Sequence, residues 1–535
     1  MILVESVSVP AGSGPEKLKK KTASVLGVRP EQIRGLEIRR KSLDARKKPE
    51  ILDVYQVAVE VDSQEKILAR GRRGVRRDEP APYIFPESGT ARLEHRPVII
   101  GTGPAGLMCG LMLARAGYRP LLLERGRRVE ERAASVDAFW NGGELDPDCN
   151  VQFGEGGAGT FSDGKLQTSV KDPGGRGALM RRCFADAGAP EDILWEAKPH
   201  LGTDVLRTVV RNLREEIIAR GGEVRFSSKV TDLVFDSHAG ERRLRSLRLA
   251  DGEEIPAQVC VLAIGHSARD TFRRLSEIGV PMEKKSFAVG LRIQHPQRMI
   301  DALQYGWETR GALPAASYKL TASTSGERGV FSFCTCPGGY VVAAASGPEQ
   351  AVVNGMSYSG RAGENCNSAL IVQVRPDDLP EGTLGGVRFQ EDLEKRAFIL
   401  GGGAVPVSTL GAYLERKEMA SFGEIAPQIM GRFAPARLDL LLPETLDTSF
   451  REAIPVFGHT LPGYDRPDAV LAGIESRTSS PVRILRGPDG QSAFAGLYPC
   501  GEGAGYAGGI TSAAIDGIRV AEYIAARWAR PAEGA

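Results

Sequence analysis

The stretch VIIGTGPAGLMCGLMLARAGYRPLLLE, residues 98–124, decides how this chain is read. A short apolar strand runs into Gly101-Thr102-Gly103-Pro104-Ala105-Gly106, and a second apolar strand ends in Glu124. That order is a dinucleotide-binding fingerprint. Gly101 permits the tight turn, Gly103 lets backbone approach a pyrophosphate, and Gly106 allows close helix–strand packing. A helix opening near Pro104 offers free N–H groups and a positive dipole end to that pyrophosphate. Glu124 is placed to accept hydrogen bonds from ribose hydroxyls, and its charge disfavours the phosphorylated ribose of NADP. The fingerprint leaves FAD and NAD open. Residues 98–114 are uncharged, but this run of 17 is broken by Gly101, Gly103, Pro104 and Gly106. It falls short of the ~20 residues that cross a bilayer.

Working outward, 535 residues predict two to three domains, and 42% hydrophobic with 25% charged residues is the balance of a globular protein. Aromatics at 6% are too sparse for a stacking surface, while 64 glycines suit close backbone approach to a large cofactor. Residues 1–80 hold 18 Lys and Arg against 12 Asp and Glu, a surplus of six, although the whole chain carries only +2. No basic segment followed by an apolar run opens the chain, and eight scattered cysteines fit free thiols. The expectation is a cytoplasmic protein without a membrane segment.

Residues 1–62 read as strand, helix (14–26) and two strands around the polar turn 42–49. Residues 65–79, EKILARGRRGVRRDE, read as a basic helix or tail, and Pro80-Ala81-Pro82 as a linker. A solvated charged face is the favoured meaning of the basic run, which makes nucleic acid an unfavoured partner. A helix is expected at 177–188, with strands at 224–226, 230–235, 244–249 and 259–264. From 281 to 442 the pattern changes to strands and loops, and the segment 496–526 returns as strand, turn and helix.

Four separated signals coincide: the fingerprint, GEGGAGTFSDGKL (154–166), VCVLAIGHSARDTF (259–272) and LYPCGEGAGYAGGITSAAIDGIRVAE (497–522). Together they resemble the glutathione-reductase-type FAD oxidoreductases. More narrowly, they are similar to a bacterial group of FAD-dependent dehydrogenases with an extra N-terminal domain. That group also has segments like KPHLGTD (198–204), FCTCPGG (333–339), NGMSYSGRAGENCNSALIV (354–372) and ESRTSSPVR (475–483).

The resemblance implies an α/β fold with a discontinuous Rossmann-like FAD-binding domain, an inserted β-rich substrate domain and a small N-terminal α+β domain. It divides the chain into 1–88, 89–280, 281–442 and 443–535. It implies FAD contacts from Gly101, Gly103, Pro104, Ala105 and Gly106, and from Glu124 and Arg125. Gly157, Gly159 and Thr160 should supply backbone and hydroxyl contacts around pyrophosphate and flavin ring. Val230 should lie by the adenine, and Gly265 at a turn beside the cofactor. Gly501, Glu502, Gly509 and Ile510 complete the set. Glu502 stands where many relatives have Asp, and the helix after it faces the flavin N1/O2 edge. The implied activity is hydride exchange between flavin N5 and a small organic substrate. A flavoprotein acting on RNA through its basic N-terminus and a redox sensor without turnover are the other readings.

FILGGGAVP (398–406) is the one candidate for a second nucleotide site, but it has no third glycine at the right offset and no acid-ended strand. NAD(P)H, if it is the electron donor, must then dock transiently. Cys334-Thr335-Cys336 reads as a strained redox pair or, by preference, as two small buried residues at a strand end. No second close Cys pair exists for a zinc site and no HExxH is present, so no metal is expected. Cys109 stands alone in the first helix and reads as packing. His266 and His200 are acid/base candidates or backbone-bonded turn residues. Arg292, Arg361, Arg477 and Arg483 are candidate anion binders, with Asn365 and Asn367 beside them. Substrate, reaction direction and oligomeric state are left open.

Overall fold

Three bare aliphatic strands, Val98–Ile100, Leu121–Leu123 and Cys260–Leu262, form the centre of a five-stranded parallel sheet. Leu497–Pro499 closes one edge and Glu223–Arg225 the other. The central residues are buried on both faces, the pattern of parallel strands covered by helices. The helices Pro104–Arg115 and Ile510–Arg527 cross where a Cβ on Gly517 would collide with the Ala105 carbonyl. The computed structural model describes residues 1–80, 82–238, 240–307 and 310–532; Ala81 of the expected linker and the last residues of the segment 443–535 lie outside these.

A three-stranded antiparallel sheet, Val230–His238, Glu241–Leu249 and Glu254–Pro256, stands beside the parallel one. The large sheet has seven strands in the order Thr321–Ser323, Gly329–Cys336, Asn365–Val374, Phe287–Pro296, Val470–Glu475, Val405–Thr409 and Phe433–Pro435. Its fifth strand corrects the expected boundary at 442. Val470–Glu475 pairs with Phe287–Pro296, and the helix Glu444–Thr460 packs Phe450 and Phe457 into the same core. Residues 443–475 therefore belong to the large sheet. Periodicity could not show this, because a buried strand looks alike in either sheet.

Residues 1–77 form a second correction. The sheet order is Ile33–Lys47, Glu50–Val61, Ile2–Pro10 and Val75–Arg77, with the helix Pro15–Leu26 packed on it. The basic run is thus a one-turn helix, Gln64–Leu68, and an edge strand, not a long helix or tail. Its cations are partly spent within the unit: Arg76 meets Glu5 at 3.3 Å and Arg77 meets Glu65 at 2.7 Å. Lys41 fixes the unit to the rest of the chain through a backbone bond to Trp195 (2.8 Å) and an ion pair with Glu196 (3.1 Å).

A buried charge cluster locks the surroundings of the parallel sheet to those of the seven-stranded sheet. Glu394, on the helix Gly385–Leu400, takes Arg269 at 2.6 Å and Arg477 at 2.8 Å. Burial alone would raise the Glu394 carboxyl, but the two guanidinium groups hold it well below the usual carboxylate range. Among the described residues no helix is long and apolar enough to cross a membrane.

Candidate functional site

The four glycine-dense segments meet at the start of the helix Pro104–Arg115. A Cβ on Gly157 would lie 3.0 Å from the Gly103 Cα, and one on Gly159 would lie 3.0 Å from the Ile510 side chain. A Cβ on Gly501 would lie 2.7 Å from that of Ala105, and one on Gly503 would collide with the Gly265 carbonyl. At Gly503 the neighbour is backbone and only glycine fits, and at the other three a side chain would force its neighbours to shift. Gly101 takes φ +97 and Gly157 φ +61, in the left-handed range that glycine adopts without strain.

Other faces of the same glycines are open. Gly265, Gly508 and Gly509 meet nothing within 4 Å, and Gly103 meets only the Gly157 Cα at 3.9 Å. Gly103 and Gly509 are the residues that open the two helices, so two helix N-termini face one glycine-walled cradle. Such a cradle suits a diphosphate and an anionic ring edge. Glu502 adds an acceptor whose carboxylate accepts no hydrogen bond among the described residues. Burial pushes that carboxyl up to about 7, with Lys285 opposing.

Arg132 organises the loop 154–166. Fully buried, it donates to the carbonyls of Asn150 (2.9 Å), Val151 (3.0 Å), Gly154 (3.2 Å), Glu155 (2.6 Å) and Gly157 (3.0 Å). Nothing in the sequence marked it, because it reads as one more charge in the helix Val129–Trp140, beside Glu130 and Glu131. Its target is irregular backbone, which leaves no side-chain pattern.

Several expected site residues have work inside the protein. Glu124 accepts from Thr102 N (2.9 Å), Thr102 Oγ1 (2.8 Å), Gly126 N (3.0 Å) and Gly154 N (3.0 Å). Four donors match the acceptor capacity of a carboxylate, so Glu124 ties the fingerprint to the loop, a role beyond the expected ribose contact. Arg125 forms a bidentate pair with Asp270 (3.0 and 3.1 Å) and lies 4.2 Å over the Phe153 ring. Thr160 departs from expectation, since its buried hydroxyl turns back to the Glu155 carbonyl at 3.4 Å instead of outward. Val230 opens its strand as part of the core with Ile100 and Leu121.

The candidate catalytic and anion-binding residues separate into distinct neighbourhoods. His266 lies beside Ser267 (2.9 Å), and burial, with Arg477 and Arg269, lowers its pKa to about 3, leaving it neutral at ordinary pH. His200 contacts the Ser359 carbonyl at 3.3 Å. The arginines read as anion binders are each matched to an acid: Arg292 to Glu475, Arg361 to Asp163 (2.5 Å), Arg477 to Glu394 and Arg483 to Glu283 (3.7 Å). Asn367 accepts from Arg292 (3.1 Å), and Asn365 donates to Gln294 (3.2 Å) and the Ala426 carbonyl (2.8 Å). Residues 398–406 turn from the helix Gly385–Leu400 into the strand Val405–Thr409, the reverse of a nucleotide fingerprint. No helix N-terminus is presented there.

An α/β fold with a glycine-walled cradle at two helix N-termini defines a dinucleotide-binding class, and the comparisons identify the nucleotide. Residues 95–136 match the family described as "FAD binding domain", and 286–478 match "FAD-dependent protein, C-terminal domain-like". Residues 1–60 match a domain of unknown function. The protein is an FAD-binding flavoprotein. Its chain is 42% identical over 537 aligned positions to an "uncharacterized protein" of Clostridium beijerinckii, covering 99% of each, and belongs to that protein's family. Among solved structures, L-proline dehydrogenase from P. horikoshii aligns with a TM-score of 0.37 at 10% identity, over 81% of this chain and 94% of that one. L-amino acid deaminase from Proteus myxofaciens aligns at 0.35 and 12%, over 83% and 93%. Likenesses this loose do not bear on substrate.

Proposed function

We propose that the protein is an FAD-dependent oxidoreductase of the glutathione-reductase type, exchanging hydride with a small organic substrate. The supporting observation is the convergence of four sequence-distant glycine segments on one open cradle at Gly103 and Gly509. Bound there, FAD supplies two-electron chemistry at N5. In this reading Glu124, Arg125 and Val230 line the adenosine end, and Gly101–Gly106 with Gly157 and Gly159 hold the pyrophosphate. Gly265, Gly501, Glu502, Gly509 and Ile510 surround the ring and its ribityl chain. The N-terminus of Ile510–Arg527 stabilises negative charge at the ring's N1/O2 edge. The small N-terminal unit, the split FAD domain and an inserted sheet domain form one enzyme, with substrate entering between the loop 154–166 and the large sheet. Eight free cysteines support a cytoplasmic location. NAD(P)H is a candidate transient donor.

Anaerobic addition of NADH, NADPH and a metabolite panel to the yellow protein tests this. One donor should bleach the flavin band near ~450 nm stoichiometrically. Failure of every donor would leave a flavoprotein without turnover, and a folded protein that never takes up FAD would overturn the whole reading.

Glu502 gives a pH test. In the apoprotein its raised carboxyl contributes stability that is complete below the usual 4.5 and is lost as pH rises through about 7. Binding runs the other way if the ionised carboxylate accepts a hydroxyl of the cofactor. FAD affinity should then rise about tenfold from pH 6 to 8, the span that ionises such a group. Titrating apoprotein by flavin fluorescence reads this, and Glu502→Gln should flatten the profile. An unchanged slope in the variant would assign the ionisation elsewhere.

A further inference from the structure

Cys334 is the one cysteine of eight that is not fully buried. It lies on the strand Gly329–Cys336, where the register with Asn365–Val374 shifts between Phe333 and Cys336. Its φ is +46, a left-handed value that costs a side-chain-bearing residue on the order of 1 kcal/mol or more. Simple packing at a strand end gives no reason for that cost. At this bulge Cys334 is partly exposed next to the exposed Phe333, while Cys336 stays buried two residues on.

The surroundings are cationic and come from both halves of the molecule. Arg292 Nη1 lies 2.9 Å from the Cys334 carbonyl and 3.8 Å from Cys336 Sγ. Lys165, at the end of the loop 154–166, donates to the Thr335 carbonyl between the two cysteines. Asp163 sits 3.5 Å from Lys165 and also takes Arg361, so the local charge is not left unbalanced. The Cys336 thiol donates to the Cys334 carbonyl at 3.4 Å. Hydrogen bonding between the two cysteine side chains, with Lys165 and Arg292, holds the Cys334 thiol well below the usual range, and the same bonding with burial raises Cys336 well above it. The division of labour is that of an attacking and a resolving thiol.

We propose that Cys334 and Cys336 form a thiol–disulfide exchange site for low-molecular-weight disulfides. Cys334 thiolate attacks one sulfur of R–S–S–R, forming a mixed disulfide and releasing R–S⁻. Cys336 passes its proton to that thiolate and attacks the Cys334 sulfur, releasing the second R–S⁻. The two cysteines are oxidised to a disulfide, and the external disulfide is reduced to two thiols. Excess external thiol runs the exchange backward, so no further reductant is needed. This chemistry requires neither flavin reduction nor the organic substrate of the oxidoreductase reading.

The holoprotein decides the matter when incubated with oxidised glutathione and digested with trypsin. The peptide 329–361 contains these two cysteines and no other. It should lose two hydrogens while FAD stays bound, and Cys336→Ser should trap one glutathione on Cys334. At pH 6.5, iodoacetamide should label Cys334 in the wild type about tenfold faster than free glutathione, the gain left after lower nucleophilicity offsets the larger thiolate fraction. A wild-type peptide that stays a dithiol, or that carries two separate glutathiones, would overturn the proposal. So would labelling no faster than the free thiol. These wild-type readouts hold even if the serine variant fails to fold, and a negative result would leave the flavin assay untouched.

Discussion

Gly103→Val will accumulate as folded, colourless protein, whereas Gly106→Ala will not accumulate as folded protein at all. The two glycines are three residues apart in one turn, yet their surroundings differ. Gly103 has φ −67 and ψ −179, which any residue adopts, and its missing Cβ points into the cradle, where only the Gly157 Cα comes within 4 Å. A valine there leaves the helix intact and takes the space the pyrophosphate needs. Overpacking of this kind costs about 3 kcal/mol at its upper end, or about 100-fold in FAD affinity. A Cβ on Gly106 would collide with the Gly101 carbonyl, so the helix must leave the strand and the central sheet loses its cover. Absorbance of the purified variants and their circular dichroism separate the outcomes. Wild-type FAD content in Gly103→Val would move the pyrophosphate elsewhere.

Arg132→Met should lose both FAD and at least about 3 kcal/mol of stability, because buried carbonyls stripped of their donor each cost roughly 1–3 kcal/mol. The carbonyls of Asn150 and Val151 have Arg132 as their donor among the described residues. Methionine keeps much of the volume but none of the five hydrogen bonds. The loop would then relax from the Gly103 contact that forms one wall of the cradle. Thermal unfolding with and without excess FAD checks this. A melting temperature and FAD content equal to wild type would show that the loop is held by other means, Glu124 foremost.

Local chemistry made much of this legible before any fold. VII and LLL are strands because bare aliphatic runs this short, bounded by glycine turns, have nowhere else to be buried. The spacing from Gly101 to Glu124 left little room for any unit but strand, helix and strand. The large sheet was harder to bound. Val470–Glu475 is as apolar as a cofactor-domain strand, and only pairing with Phe287–Pro296 reveals its allegiance. The basic run 65–79 misled because charge density says nothing about a three-residue edge strand.

By itself, then, the sequence determined the dinucleotide class and the segments that wall the cradle, because glycine spacing and strand-ending acids are local requirements of a turn. Tertiary structure alone decided which charges are spent inside. Arg132 gathering five carbonyls, Glu124 bridging turn and loop, and Glu394 joining Arg269 to Arg477 are contacts between distant residues. Buried electrostatics depends on which groups meet once water is excluded, and linear spacing does not encode those meetings.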